Sequence, residues 1–260
     1  QFGRIATLSS VPMARRKSLA FLDVGQGDCF VADTKSGAII FDGGSSSEDQ
    51  VGRYRILPYM KYLGYQKIQI AVISHMDIDH YSGIKELLEM GKIKYLGLPE
   101  IPKDDTMKKI IGIAKKRGTT IFYLSRGRQI TTKDGSLKVL HPQKNSQMEK
   151  NAASLVMQGK IFGYRVLLTG DVEKEGEEEL LSEELERADI LKAAHHGSKN
   201  STSNEFLQKV QPKQTVISCG KQNRYGHPHL ETIHRLQTYH TKIYRTDRSG
   251  AIIFFKRRDG

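Results

Sequence analysis

The 260-residue sequence has no tryptophan and only two cysteines. Two cysteines are too few for a disulfide framework, and nothing in the spacing of Cys29 and Cys219 pairs them or suggests a zinc finger. Both read as buried free thiols in apolar, strand-like surroundings, which leaves the redox compartment open. No apolar run approaches the ~20 residues needed to span a bilayer, and the first residues show no signal-peptide pattern. Acidic side chains are the minority, 29 Asp and Glu against 41 Lys and Arg, giving a formal charge of +12. Such a surplus favours polyanions: nucleic acid first, an anionic membrane surface second. With 38% hydrophobic residues the chain can bury a core in one large domain or two small ones. It opens on Gln1 rather than Met, which reads as an excised piece of something longer. Residues 1–17, small, polar and basic with Pro12 and Arg15-Arg16-Lys17, read as a connector, and 18–260 as one domain.

Apolar periodicity gives the rest of the organisation. Strands over 19–24, 29–33 and 38–41, separated by glycine turns, form a β-meander. A helix over 51–64 carries Ile56, Leu57, Met60 and Leu63 on one face. Strands at 70–74, 94–98 and 119–124 alternate with helices at 84–90 and 106–117, a β-α-β-α-β pattern. Strands then flank Asp134-Gly135 within 128–140. Further strands are read at 151–157, 164–171 and 189–194, and an acidic helix at 173–187. Helix, strand and helix follow at 204–210, 215–219 and 230–239. The chain closes in a hairpin, 242–246 with 251–255, over Asp247-Arg248-Ser249-Gly250, before the basic end Lys256-Arg257-Arg258.

The chemistry concentrates in Ile70-Ala71-Val72-Ile73-Ser74-His75-Met76-Asp77-Ile78-Asp79-His80-Tyr81-Ser82-Gly83. A β-branched run ends in two imidazoles and two carboxylates within six residues, donors that together suit a divalent cation such as zinc, manganese or iron. Two other apolar strands end the same way: 165–169 runs into Asp171, and 190–194 into His195-His196. Three strand ends bearing metal-type side chains predict one preformed site at a shared rim. Asp42, after the third strand, reads either as a turn residue or as a buried carboxylate orienting a ligand histidine. For Asp28 the turn is the preferred reading.

His-x-Asp-x-Asp-His followed by Gly resembles the first metal motif of the metallo-β-lactamase superfamily, with Asp77 where histidine is usual. Phe21-Leu22-Asp23-Val24-Gly25-Gln26-Gly27-Asp28, Asn151-Ala152-Ala153-Ser154, His195-His196-Gly197-Ser198 with Lys199-Asn200-Ser201, and Gly220-Lys221-Gln222-Asn223-Arg224-Tyr225-Gly226-His227-Pro228-His229 resemble the branch found at the C-terminus of ComEC-type competence proteins, the membrane channels for DNA uptake. The resemblance implies a four-layer αβ/βα sandwich, α/β (α+β) in class, with two packed sheets flanked by helices. It implies His75, Asp77 and Asn151 on one metal, Asp79 and His80 on a second, and Asp171 bridging both. It puts His195 as last ligand and leaves His196 for proton transfer, although the residues themselves leave that pair open. His227 stands at the site rim as a second proton donor, and Lys199, Asn200, Asn223 and Arg224 are candidates to hold a phosphate. Oxygen donors at Asp77 and Asn151 shift preference from zinc toward manganese or magnesium, and one or two divalent ions, Mn2+ or Zn2+, are expected with no organic cofactor.

The function implied is metal-dependent hydrolysis of DNA phosphodiester bonds, with Asp79, Asp171, His196 and His227 as its catalytic groups. By resemblance, this degrades the strand that is not transported during natural transformation. The membrane-channel portion of the same polypeptide is then a partner, and the domain lies on the extracytoplasmic face of the bacterial membrane. Two alternatives are a small-molecule metallo-hydrolase of the same superfamily, and a non-catalytic DNA-binding module with a degraded site, which the Asp77 and Asn151 substitutions support.

Overall fold

The structure is a computed structural model that describes residues 17–148 and 150–256. The connector therefore lies outside the described residues except for Lys17, as do Arg257 and Arg258. Strands β1 (Ser18–Phe21), β2 (Phe30–Thr34) and β3 (Gly37–Phe41) form the expected antiparallel meander. A π-helical turn, Gly52–Ile56, continues as α1 (Leu57–Tyr62). Then β4 (Ile68–Val72), α2 (Ile78–Glu89), β5 (Ile93–Pro99), α3 (Asp105–Lys116) and β6 (Thr120–Leu124) alternate, and the three strands pair in parallel. The second half runs β7 (Gln129–Thr132), β8 (Gly135–His141), a 3-10 turn at Lys150–Ala153, β9 (Val156–Ile161), β10 (Tyr164–Leu168), α4 (Lys174–Leu181) and β11 (Ile190–Lys192). It ends with α5 (Asn204–Val210), β12 (Gln214–Ile217), α6 (Leu230–Thr238), β13 (Lys242–Arg245) and β14 (Ile252–Phe255).

Two seven-stranded sheets result, ordered β14-β1-β2-β3-β4-β5-β6 and β13-β12-β11-β10-β9-β8-β7. Leu19, Phe21 and Phe30 of the first sheet pack with Val139, Met157 and Val166 of the second in one apolar cluster between them. A second cluster seats α2 and α3 on the outer face of the first sheet, and a third seats α4, α5 and α6 on the second. This is the four-layer sandwich.

Three expectations change. The closing segments are not a hairpin: β13 pairs with β12 in one sheet and β14 with β1 in the other. Thr246–Ser249 takes a helical turn instead, and Thr246 is fixed by accepting the Cys219 N–H at 3.0 Å, so the chain crosses between sheets. The acidic helix ends at Leu181, not Arg187. The helix after the metal motif begins at Ile78 rather than residue 84, which places Asp79 and His80 on its first turn. Both cysteines are free and buried. Among the described residues no helix is long and apolar enough to cross a membrane.

Candidate metal centre

Helix α2 explains how one motif supplies both a buried and a rim donor. Its buried residues are His80, Gly83, Ile84, Leu87 and Leu88, a stripe at helical spacing that faces the first sheet. His80 is simply the first member of that stripe and is fully buried. Asp79, one residue earlier, stays at the surface of the cleft, in a first turn that favours negative charge. The helix end is held from below by two loops. Gly43 N–H donates to the His80 carbonyl at 2.8 Å, and Asp28 N–H donates to the Asp79 carbonyl at 3.0 Å. These approaches need glycine: a Cβ on Gly44 would lie 2.5 Å from the Ile78 carbonyl oxygen and 2.6 Å from His80 N.

The second sheet supplies the facing wall. Asp171 follows β10, and its backbone N–H donates to Ser154 Oγ at 3.3 Å. Leu155 N–H donates to the Ser74 carbonyl at 3.0 Å, so the Asn151–Ser154 turn is tied to both metal loops. Asn151 sits on a 3-10 turn rather than entering a strand, and its Oδ1 is buried without a hydrogen-bond partner. After β11, His195 and His196 do not alternate as on a strand. Both occupy the left-handed region, φ 47° and 52°, as does Asp42 at φ 57°. Such non-glycine positions are costly and concentrate at functional sites.

The donors converge across the seam between the sheets. His80 Nε2 lies 3.1 Å and His196 Nε2 3.4 Å from Asp171 Oδ2, and His196 Nε2 is also 3.4 Å from Asp79. One donor atom each from His75, His80 and Asp171 lies within 4.8 Å of the others, and Asp79, His80 and His196 form a second such set. Asp77 joins neither set; its carboxylate is 3.7 Å from His75 Nε2 and half-exposed. His195 stands further out: its Nδ1–H donates to Glu173 at 2.7 Å and its Nε2 is 3.8 Å from Asp171.

Orientation is fixed from behind. His80 Nδ1–H donates to Asp42 at 2.9 Å, while the other Asp42 oxygen accepts the Ser74 N–H at 2.7 Å. His196 Nδ1–H donates to the Ser218 carbonyl at 2.9 Å. The Nδ1 position is thus used on both rings, which turns Nε2 toward the centre. Beneath lies Lys192, a buried ammonium paired with Asp28 and 3.7 Å from Asp171. Burial alone would raise the Asp28 carboxyl, but Lys192 and then His196 bring it down to about 2. Burial would lower His80 and His196, yet Asp171, with Asp42 for one ring and Asp28 for the other, holds both well above the ordinary imidazole value. His227 is pushed down to about 4 by burial and then by His196 and His195.

The Nε2 atoms of His75, His80 and His196, Asp171 Oδ1 and Asn151 Oδ1 are all buried and lack hydrogen-bond partners. Buried polar atoms left without partners are rare, and a shared cation answers several of them at once. The donor set fits divalent metal. The family profile described as Metallo-beta-lactamase superfamily matches residues 22–221. The chain belongs to the metallo-β-lactamase superfamily. This is a superfamily of metal-dependent hydrolases that hold one or two divalent ions. The chain is 36% identical over 259 residues to ComE operon protein 3 of Bacillus subtilis (strain 168), covering 92% of this chain and 33% of that protein. It is 30% identical over 248 residues to Competence protein ComA of Neisseria gonorrhoeae, covering 92% and 32%. It thus spans about a third of the length of these ComEC-type relatives. In fold it is similar to the metallo-beta-lactamase fold protein YhfI from Bacillus subtilis, with TM-score 0.60 and 13% identity over 91% of this chain and 99% of that one.

The remaining expected residues divide. His227 lines the same cleft as Asp79, Asp171, His195 and His196, about 230 Å³ in volume. Arg224 lies over the Tyr225 ring, 4.8 Å from its centroid, at that rim. The Asn223 side chain staples its own loop, donating to the Gly220 and His227 carbonyls and accepting the His227 N–H. Lys199 and Asn200 line a separate cleft beside Glu173 and Arg235. Asp28, Lys192 and Glu173 are the site groups that the sequence reading did not place. A lysine inside the apolar run Ile190-Leu191-Lys192-Ala193 was the available signal for one of them.

Proposed function

We propose that this domain hydrolyses the phosphodiester bonds of DNA. The observation that carries the reading is the set of unpartnered imidazole and carboxylate donors around Asp171, open to a cleft, in a chain of charge +12. His75, Asp77, Asn151 and Asp171 would hold one ion, and Asp79, His80, His196 and Asp171 the other. Asp28, Asp42, Asp77, Asp79 and Asp171 bring five negative charges against the one positive charge of Lys192. This excess of carboxylate, to which Glu173 beside His195 adds, suits divalent cations. Oxygen donors at Asp77 and Asn151 favour manganese in the first position. Bound ions supply Lewis acidity toward the phosphodiester.

The chain's own groups do the rest. Glu173 fixes the His195 ring so that Nε2 faces the cleft, where it gives a proton to the leaving oxygen. His227, neutral at pH 7, positions the substrate rather than protonating it. Arg224 at the rim supplies donors to non-bridging oxygens. The exposed lysines of α3 attract the DNA backbone. The competence proteins among its relatives support a role in DNA uptake. In that role the domain would remove the strand that is not transported, on the outer face of the membrane, as part of a channel protein. Purified protein with Mn2+ should cleave end-labelled DNA, and Asp79→Ala should lose both cleavage and part of the bound metal. Equal cleavage by both would end the reading. Turnover of bis-p-nitrophenyl phosphate without DNA cleavage would transfer it to a small-molecule diester.

A further inference from the structure

Asp77 is shared by two clefts. One is the 230 Å³ cleft over Asp79, Asp171, His195 and His196. The other, about 560 Å³, starts at His75 and Asp77 and runs to the beginning of α3. Its walls are Met76, Ile101, Pro102, Met107 and Met148. Among the described residues its charged lining groups are two carboxylates, Asp77 and Asp104, and Asp104 is engaged by the Met107 N–H at 2.7 Å. Among the described residues no lysine or arginine lines it.

A groove with apolar walls and no cation rejects the phosphate of a nucleic acid, yet this one is continuous with the metal centre through His75 and Asp77. What it suits is the uncharged part of the same substrate. We infer that the groove is a subsite for an unpaired nucleobase adjoining the scissile phosphate, on the His75 side of the centre. The inference rests on the phosphodiesterase reading and adds the substrate form. Thioethers pack well against aromatic faces and adapt to irregular shapes, so a methionine-lined wall accepts any base without selecting one. Ser146 and Gln147 also line it and offer polar groups to a base edge. The volume falls in the ~300–1,000 Å³ range of small-ligand pockets. A base inside a duplex has both faces stacked and its edge paired, so only a single strand or an opened end can fill the groove.

The test uses chromogenic diesters with and without a base. Manganese-loaded protein should turn over the better of thymidine 5′- and 3′-(p-nitrophenyl phosphate) with a higher kcat/KM than methyl p-nitrophenyl phosphate. Opening the wall, by Met148→Ser alone and by Met148→Ser with Ile101→Ser, should reduce that ratio about tenfold. Met148→Leu should preserve it. Calorimetric binding of thymidine 5′-monophosphate should weaken in parallel, and thermal melts establish that each variant is folded. A wild-type ratio near one, or a ratio unchanged in folded Met148→Ser, overturns the subsite while leaving the phosphodiesterase reading standing. Cleavage of neither diester overturns both.

Discussion

Lys192 is a buried ammonium set between Asp28 and Asp171, and its removal is the sharpest test of how the centre is held. Its side chain is 5% exposed, and that of its partner Asp28 is 7%. Truncating one member of a buried ion pair costs ~3–5 kcal/mol, because the other charge is left without compensation. For a chain of this size each kcal/mol moves the melting point by ~2–4 °C. Metal-free Lys192→Met should therefore melt roughly 6–20 °C below wild type, and the double variant with Asp28→Asn should recover most of the loss. The pair also has an acid signature. The Asp28 carboxyl sits at about 2 in the folded protein, below its ordinary value of 3.8. A depressed carboxylate stabilises fully above the unfolded value, and its contribution is lost as pH falls from about 4 toward 2. That portion of the acid slope should shrink in Lys192→Met. Differential scanning fluorimetry in chelator, from pH 7 down to pH 2, reads both effects. A single variant melting within about 2 °C of wild type, or a double variant no better than the single, would refute the argument.

Three further outcomes are expected. Glu173→Gln should lower kcat about 10–100-fold while the metal content, measured by mass spectrometry, stays at the wild-type value. Gly44→Ala forces the first turn of α2 away from the loop beneath it, so chelator competition should show metal affinity lowered about 10–100-fold. Replacing Lys115 and Lys116 by Gln should reduce the slope of log affinity for DNA against log salt by about 2, and an unchanged slope would remove α3 from the binding surface.

Much of this was legible because it is local. The β-α-β-α-β half, the meander and the strand ends that carry His75, Asp171 and His195-His196 follow from apolar periodicity and glycine placement. His80 was legible as a donor; that it also begins the stripe of Ile84, Leu87 and Leu88 emerged only with the true start of α2. What was lost is sidedness and partner choice. Asp28 closes a glycine turn, and nothing in its neighbours says that the turn folds inward onto Lys192. The His195-His196 pair looked like a strand continuation, where alternation would separate the rings, but two left-handed residues send His196 inward and His195 to Glu173. Adjacency in sequence predicts a hairpin for the final strands, whereas pairing is decided by edges: β12 and β1 each leave one open.

That seam has an evolutionary corollary. His75, Asp77, Asp79 and His80 come from the sheet that holds β4, and Asn151, Asp171 and His196 from the one that holds β9, β10 and β11. A chain divided between β6 and β7 would leave each fragment with half a coordination sphere, and would part β14 from the β1 edge it covers. A metal centre at this seam would need both halves present together.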